Sequence, residues 1–424
     1  MSNTNIVFEE YKLPNGLSCI LHPNNENPVI NLLTVYDVGS KDEDKGQFGI
    51  AHFFEHLMFK GSQNIKENEF IAAIMNSGGV CNAFTFQDAT VYYERMPSNQ
   101  IEQALWMESD RMISLQFGKE TFETEKKVVL EEKLQRYDNA PYGTVFLNIF
   151  KTLYPGSTYE HLVIGDENDI RNFSLDGAHA FHENYYSPGN AALIVTGDFE
   201  IAKMKSLINK YYGDISKNNK TVKKKINLPE ITSYEPLTVE DNVALTKVYI
   251  TYKVTGVRED DQYPLEFIES LLAGNRSSRL YKKLVYEKKL LKSISTFRYI
   301  LGEVGMFITE GTLIEGTDLK DIEAQITDEI ENFKDNPLTE TEIEKVKNEI
   351  EQREISSLIS EQNIALKTMR NWLYHRDPSR INTETQKSLS VTKEEIIKTA
   401  EKFLKKENRF TMSYIPKMNL SNEE

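Results

Sequence analysis

The sequence predicts an α+β protein of two homologous domains, each a mainly antiparallel sheet with helices packed on it. Three observations predict this. The chain has 424 residues, more than one hydrophobic core usually serves, so two domains of roughly 200 residues each are expected. A polar, basic run, Lys217-Asn-Asn-Lys-Thr-Val-Lys-Lys-Lys-Ile226, lies near the midpoint and lacks hydrophobic periodicity, which marks a linker. On each side of it the same succession recurs: a β-branched strand, an acidic turn, then an amphipathic helix.

In the first half the strand covers residues 30–36, the turn 40–44, and the helix runs through His52 to Phe59. In the second half the strand covers 247–252, the turn 258–261 and the helix 264–272. The boundaries that follow are 1–218 for an N-terminal domain, 219–231 for the linker and 232–424 for a homologous C-terminal domain. Further strands are expected at 192–196, ended by Gly197-Asp198, and at 305–309, while helical periodicity fills 319–376 and 393–406. This alternation is that of helices layered on antiparallel sheets. The second copy has Leu265-Glu-Phe-Ile-Glu269 where the first has two histidines, so only the first half could carry a metal there.

Composition excludes several classes. Hydrophobic residues make up 39% of the chain, enough for cores, and no apolar stretch is long enough to span a membrane. A net charge of −15 argues against nucleic acid, whose phosphates want basic surface. The first residues, MSNTNIVFEEYKLPNGL, show no basic start followed by an apolar core, so no secretion signal is read and the cytoplasm is the expected compartment. The two cysteines, Cys19 and Cys81, have no metal-ligand spacing and are expected to be reduced, buried small residues.

The chemistry lies in Gly49-Ile-Ala-His52-Phe-Phe-Glu55-His56-Leu-Met-Phe59. Ala, Leu, Met and Phe favour a helix here and Gly61 ends it. His52, Glu55 and His56 then fall within an arc of roughly 100°. Two imidazoles four residues apart can grip one zinc, and Glu55 between them can take a proton from water. This H-x-x-E-H order inverts the H-E-x-x-H zinc helix.

A catalytic zinc wants a third protein ligand, and the segment 121–136 offers one. On a helical wheel Phe122, Glu125, Val128, Val129 and Glu132 form one stripe about 120° wide, so two carboxylates interrupt an apolar face. Buried carboxylates need a cation or strong hydrogen bonds, which favours Glu132 as the ligand and Glu125 as the carboxylate behind a ligating histidine. Glu123 and Glu131 fit ordinary exposed helix positions.

These motifs resemble the pitrilysin/insulinase superfamily of inverted-zincin metallopeptidases, and within it the small bacterial relatives of mitochondrial processing peptidase. Glu132 lies 76 residues beyond His56, in Glu125-Lys-Lys-Val-Val-Leu-Glu-Glu132, similar to the family's E-x-x-V-[IV]-x-x-E helix. Resemblance extends to Leu13-Pro-Asn-Gly-Leu17, Gly78-Gly-Val-Cys-Asn-Ala83, Tyr186-Ser-Pro-Gly-Asn-Ala191 and Ser277-Ser-Arg-Leu-Tyr281. The resemblance implies one Zn2+ per chain, and two homologous domains that form half of a clam-shell dimer whose chamber admits short or unfolded peptides. It also implies that substrate adds as a strand beside Asn82 and Ala83; residues 80–86 are β-prone, which suits that role.

One departure matters. Active members usually carry an arginine and a tyrosine in a second-half segment like R-E-x-x-G-L-x-Y, whereas the corresponding run here is Tyr286-Glu-Lys-Lys-Leu-Leu-Lys-Ser293. A tetrahedral intermediate needs donors aimed at its oxyanion. The expected function is therefore a zinc metalloendopeptidase acting as the zinc-bearing subunit of a heterodimer, with a homologous partner supplying the Arg/Tyr pair. The alternatives are a self-sufficient homodimer using another cation, such as Arg276 or Arg279, and a non-catalytic peptide-binding scaffold.

Overall fold

A computed structural model describes residues 5–216, 225–231 and 233–417. They form two compact units, each with one sheet. The first sheet comprises β1 (Glu9–Lys12), β2 (Ser18–Pro23), β3 (Val29–Tyr36), β4 (Val80–Thr85), β5 (Thr90–Pro97) and β6 (Ala191–Gly197), in the order β1-β2-β6-β3-β5-β4. Only β2 and β6 run parallel. Strands β3 and β6 are buried along almost their whole length, which an antiparallel sheet shows when both faces are covered.

The second sheet comprises β7 (Leu237–Asp241), β8 (Lys247–Val254), β9 (Leu291–Ile300), β10 (Gly305–Leu313) and β11 (Arg409–Pro416), in the order β7-β11-β8-β10-β9. From β2 onward the first sheet repeats this topology: a parallel pair, then three antiparallel pairs in the same chain order. The loose sequence repeat thus corresponds to a repeated sheet. The second core gathers around Ile250, Tyr252, Leu265, Ile268, Leu272, Phe307 and Ile326, all fully or nearly fully buried.

The contiguous boundaries 1–218 and 232–424 need correction, because the halves exchange segments. Residues 355–383 belong to the unit of the first sheet, and 134–160 to that of the second. Helix Glu361–His375 packs on β6 and β3, where Thr196 Oγ1 donates to Glu361 O at 3.0 Å and Tyr374 Oη to Asp88 at 2.8 Å. Helix Val145–Leu153 packs on β11, with Asn148 Nδ2 donating to Tyr414 Oη at 2.9 Å. Periodicity marks the apolar face of each helix but not the sheet that covers it. Of the expected linker, residues 219–224 lie outside the described residues, and 225–231 hold no regular element.

The periodicity over 319–376 resolves into three helices, Leu319–Glu331, Glu340–Ser357 and Glu361–His375. Among the described residues no helix is long and apolar enough to cross a membrane.

Candidate metal centre

The first half places four helices around its sheet that matter for the site: α1 (Ile50–Leu57), α2 (Glu69–Asn76), α3 (Ile101–Ile113) and α4 (Lys119–Lys133). Helix α1 begins after Gly49, whose φ of 100° is left-handed and whose Cβ position would lie 2.6 Å from Ile164 O. Any side chain there would be both strained and obstructed. The first amides of a helix have no intrahelical acceptor. Here the fully buried Glu43 accepts from Gly49 N and Ala51 N, both at 2.8 Å. Burial pushes the Glu43 pKa well above the carboxylate range, against these two bonds, which favour the anion. Ile50, Phe53, Phe54 and Leu57 bury the other face of α1, which turns His52, Glu55 and His56 to the half-exposed side.

Helix α4 lies against α1 through an edge-to-face contact of Phe122 with Phe53, ring centroids 5.2 Å apart. Its buried face is Phe122, Glu125, Lys126 and Val129. Val128, expected in that stripe, is instead exposed at 45%, because the face turns toward Lys126, whose ammonium donates to Phe173 O at 3.2 Å. Glu123 and Glu131 are exposed.

This packing brings His52, His56 and Glu132 together. One ligand atom from each lies within 4.8 Å of the others. Glu132 Oε2 is 3.4 Å from His56 Nε2 and 3.8 Å from His52 Nε2; ligand pairs around a tetrahedral zinc are about 3.3–3.5 Å apart. Two imidazoles and a carboxylate with a further position open are the donor set of a catalytic zinc, so the residues fit that ion. Glu125, 3% exposed, accepts from His56 Nδ1 at 2.9 Å and pairs with Lys60 Nζ at 2.7 Å. Burial raises the Glu125 pKa, but its bonds to His56 and Lys60 prevail and hold it below the usual range. An ionised carboxylate only accepts, so His56 carries its proton on Nδ1 and turns Nε2 toward the ligand cluster.

Burial opposes protonation of His56, yet Glu125 and Glu132 outweigh it and push the pKa up to about 9 without a cation. A metal must then displace a proton. Zinc affinity of the metal-free protein is expected to rise as pH rises toward 9, by up to about tenfold per unit for one displaced proton. Chelator-buffered zinc titrations at pH 7 and 8 check this, and equal affinities would refute it.

Glu55 sits beside the ligands, and Thr85 Oγ1 on β4 donates to its Oε2 at 2.6 Å. Burial raises the Glu55 pKa, while the Thr85 bond and His56 pull it back. Strand β4 ends the sheet and, among the described residues, pairs only with β5. Asn82 is exposed on it and Ala83 half-buried, with Ala83 N donating to Asn82 Oδ1 at 2.9 Å. Cys19 is buried, but Cys81, also on β4, is only half-buried; both are free. Burial in the other unit differs for the two arginines weighed as alternative cations. Arg279 donates to both oxygens of Glu342, at 3.0 and 3.2 Å, while Arg276 is exposed in a turn.

Glu43, Lys60 and Thr85 did not emerge from the sequence pattern. The acidic turn before α1 hinted at Glu43. Nothing local marks Lys60 or Thr85, whose partners stand 65 and 30 residues away.

Residues 20–167 match the family described as Insulinase (Peptidase family M16), and residues 172–350 match the one described as Peptidase M16 inactive domain. The chain is similar to the zinc protease PqqE of Helicobacter pylori, 29% identical over 406 residues, covering 94% of this chain and 90% of that one. It is 24% identical over 307 residues to a mitochondrial-processing peptidase subunit beta of Blastocladiella emersonii, covering 70% and 64%. Among solved structures, the crystal structure of a protease from Helicobacter pylori superposes with a TM-score of 0.91 at 28% identity, covering 97% of this chain and 99% of that one.

Proposed function

The chain belongs to the pitrilysin/insulinase superfamily of M16 peptidases, and from that premise we propose that it is a zinc metalloendopeptidase acting on short or unfolded peptides. The observation that carries this reading is the convergence of His52, His56 and Glu132 within 4.8 Å, with the Glu55 carboxylate beside them. One zinc held by those three residues would polarise the scissile carbonyl and lower the pKa of water. Glu55 takes the proton of the attacking water and returns it to the leaving amine. Its Thr85 bond ties that carboxylate to β4, the strand whose open edge receives substrate. A peptide adding there as a further strand is held by backbone hydrogen bonds, with Asn82 and Ala83 beside the scissile bond.

The chain acts as the zinc-bearing subunit of a heterodimer. Supporting this is the run from Tyr286 to Ser293, which lacks the Arg/Tyr pair, and the similarity to a peptidase named as a beta subunit. Arg279, bound to Glu342 on both oxygens, is poorly placed to replace that pair in a homodimer. The non-catalytic reading is disfavoured by an intact ligand set.

Chelation is expected to abolish cleavage of an unfolded peptide, and one equivalent of zinc to restore it. Full activity after metal removal would refute the peptidase reading. Adding a homologous subunit that carries the Arg/Tyr pair is expected to raise the rate by about 10²-fold or more, the scale of one lost oxyanion donor. A full rate from this chain alone would refute the heterodimer.

A further inference from the structure

Lys60 lies just past α1, where its amide donates to Leu57 O at 2.9 Å and extends the helix by a turn. The chain must leave the helix there. Gly61 has a φ of 138°, and a Cβ on it would lie 2.7 Å from Gln116 O. Lys60 is thereby held at a fixed height on α1, and its ammonium reaches across to α4, 2.7 Å from Glu125 Oε2. Glu125 uses its other oxygen for His56 Nδ1 at 2.9 Å. Lys60, Glu125 and His56 therefore form one relay that ends on the Nδ1 side of the His56 ring, opposite the Nε2 that faces Glu132.

The pair is not an ordinary surface ion pair. The Glu125 side chain is 4% exposed and that of Lys60 23%, so water screens little of their attraction, and removing one partner leaves the other charge buried and uncompensated. Charge balance points the same way. Zinc carries two positive charges, while Glu55, Glu125 and Glu132 carry three negative ones when ionised, and Lys60 makes the cluster neutral. Without a cation on Oε2, the Glu125 carboxylate is free to rotate away from Nδ1, and the His56 ring loses the contact that aims Nε2.

We infer that Lys60 is a positioning residue of the metal centre, holding Glu125 so that Glu125 holds the His56 imidazole in its ligating orientation. This rests on the zinc reading of the site. A lysine four residues after the second histidine thus acts on the metal without touching it.

The test is zinc affinity of the full-length chain, measured by competition with a chromophoric chelator on wild type, Lys60→Met, Glu125→Gln and the double variant. Loss of a partner behind a histidine ligand typically weakens metal binding 10–100-fold, and Lys60→Met is expected to raise the zinc Kd by about tenfold. In the Glu125→Gln background the same substitution is expected to add less than about twofold, because Lys60 acts only through Glu125. If Lys60→Met does not fold, as judged by circular dichroism, Lys60→Gln takes its place, with the same expectation in both backgrounds. Wild-type affinity in the single variant, or an equal loss in both backgrounds, overturns the inference. If wild type itself binds no zinc, the metal reading fails and the Lys60 inference with it; if wild type binds zinc and the variant matches it, only the Lys60 inference fails.

Discussion

Glu55→Gln is expected to lower peptide cleavage by about 10²–10⁴-fold, the range for loss of a general base, while zinc stays bound. The substitution keeps the side chain's shape and its acceptor toward Thr85 Oγ1, now 2.6 Å from Oε2, so β4 and α1 keep their contact. What disappears is the basic oxygen. His52, His56 and Glu132, the ligands proposed above, are untouched, which makes metal content the control. Zinc content and cleavage rate, measured on the same preparation, separate the outcomes. Unchanged cleavage would remove Glu55 as the base, and lost zinc would show that it supports the ligands instead.

Arg111→Met is expected to cost about 3–5 kcal/mol of folding stability, the scale for stripping one partner from a buried ion pair. The Arg111 side chain is 1% exposed on α3 and donates to Glu108, and its guanidinium lies 3.5 Å from Glu94 on β5. Phe70 and Tyr92 face the guanidinium at 4.2 and 4.3 Å, and Phe59, two residues past α1, at 5.1 Å. Burial, and Glu108 beside it, push the Glu94 pKa well above the carboxylate range. Arg111 is the cation that faces both Glu94 and Glu108 in this buried cluster. Methionine fills much of the volume and leaves Glu94 and Glu108 side by side in an apolar core without their cation. Urea unfolding at pH 7 reads the loss, and a midpoint unchanged within error would refute the pairing. Tyr92 also donates to Phe54 O in α1 at 3.4 Å, so the cluster underlies the helix that carries both histidines.

The legible part of the site was local. His52, Glu55 and His56 lie on one turn of one helix, and a spacing of three and four residues places them on one side whatever surrounds that helix. Glu125 and Glu132 were readable because they interrupt an apolar stripe, although the stripe itself turned from Val128 to Lys126. Strands β3, β6, β8 and β10 announced themselves by β-branched runs, and the paired successions around residues 30–59 and 247–272 foretold two sheets of one topology.

The exchange of helices was not legible. Glu361–His375 and Val145–Leu153 are amphipathic by sequence, yet the sheet each covers depends on shape and on bonds such as Thr196 to Glu361 and Asn148 to Tyr414. By sequence Lys60 is one charge near the end of a helix and Thr85 one residue of the β-prone run 80–86, and nothing local distinguishes either. The sequence by itself determined the helix that carries His52, Glu55 and His56, the helix that carries Glu125 and Glu132, and the doubled α+β plan, because each depends on periodicities of a few residues. Only the tertiary structure decided what stands behind them: Glu43 on the first amides of α1, Thr85 on Glu55, and Lys60 on Glu125. Those contacts join elements whose separation along the chain carries no period, and packing alone brings them within a hydrogen bond's length.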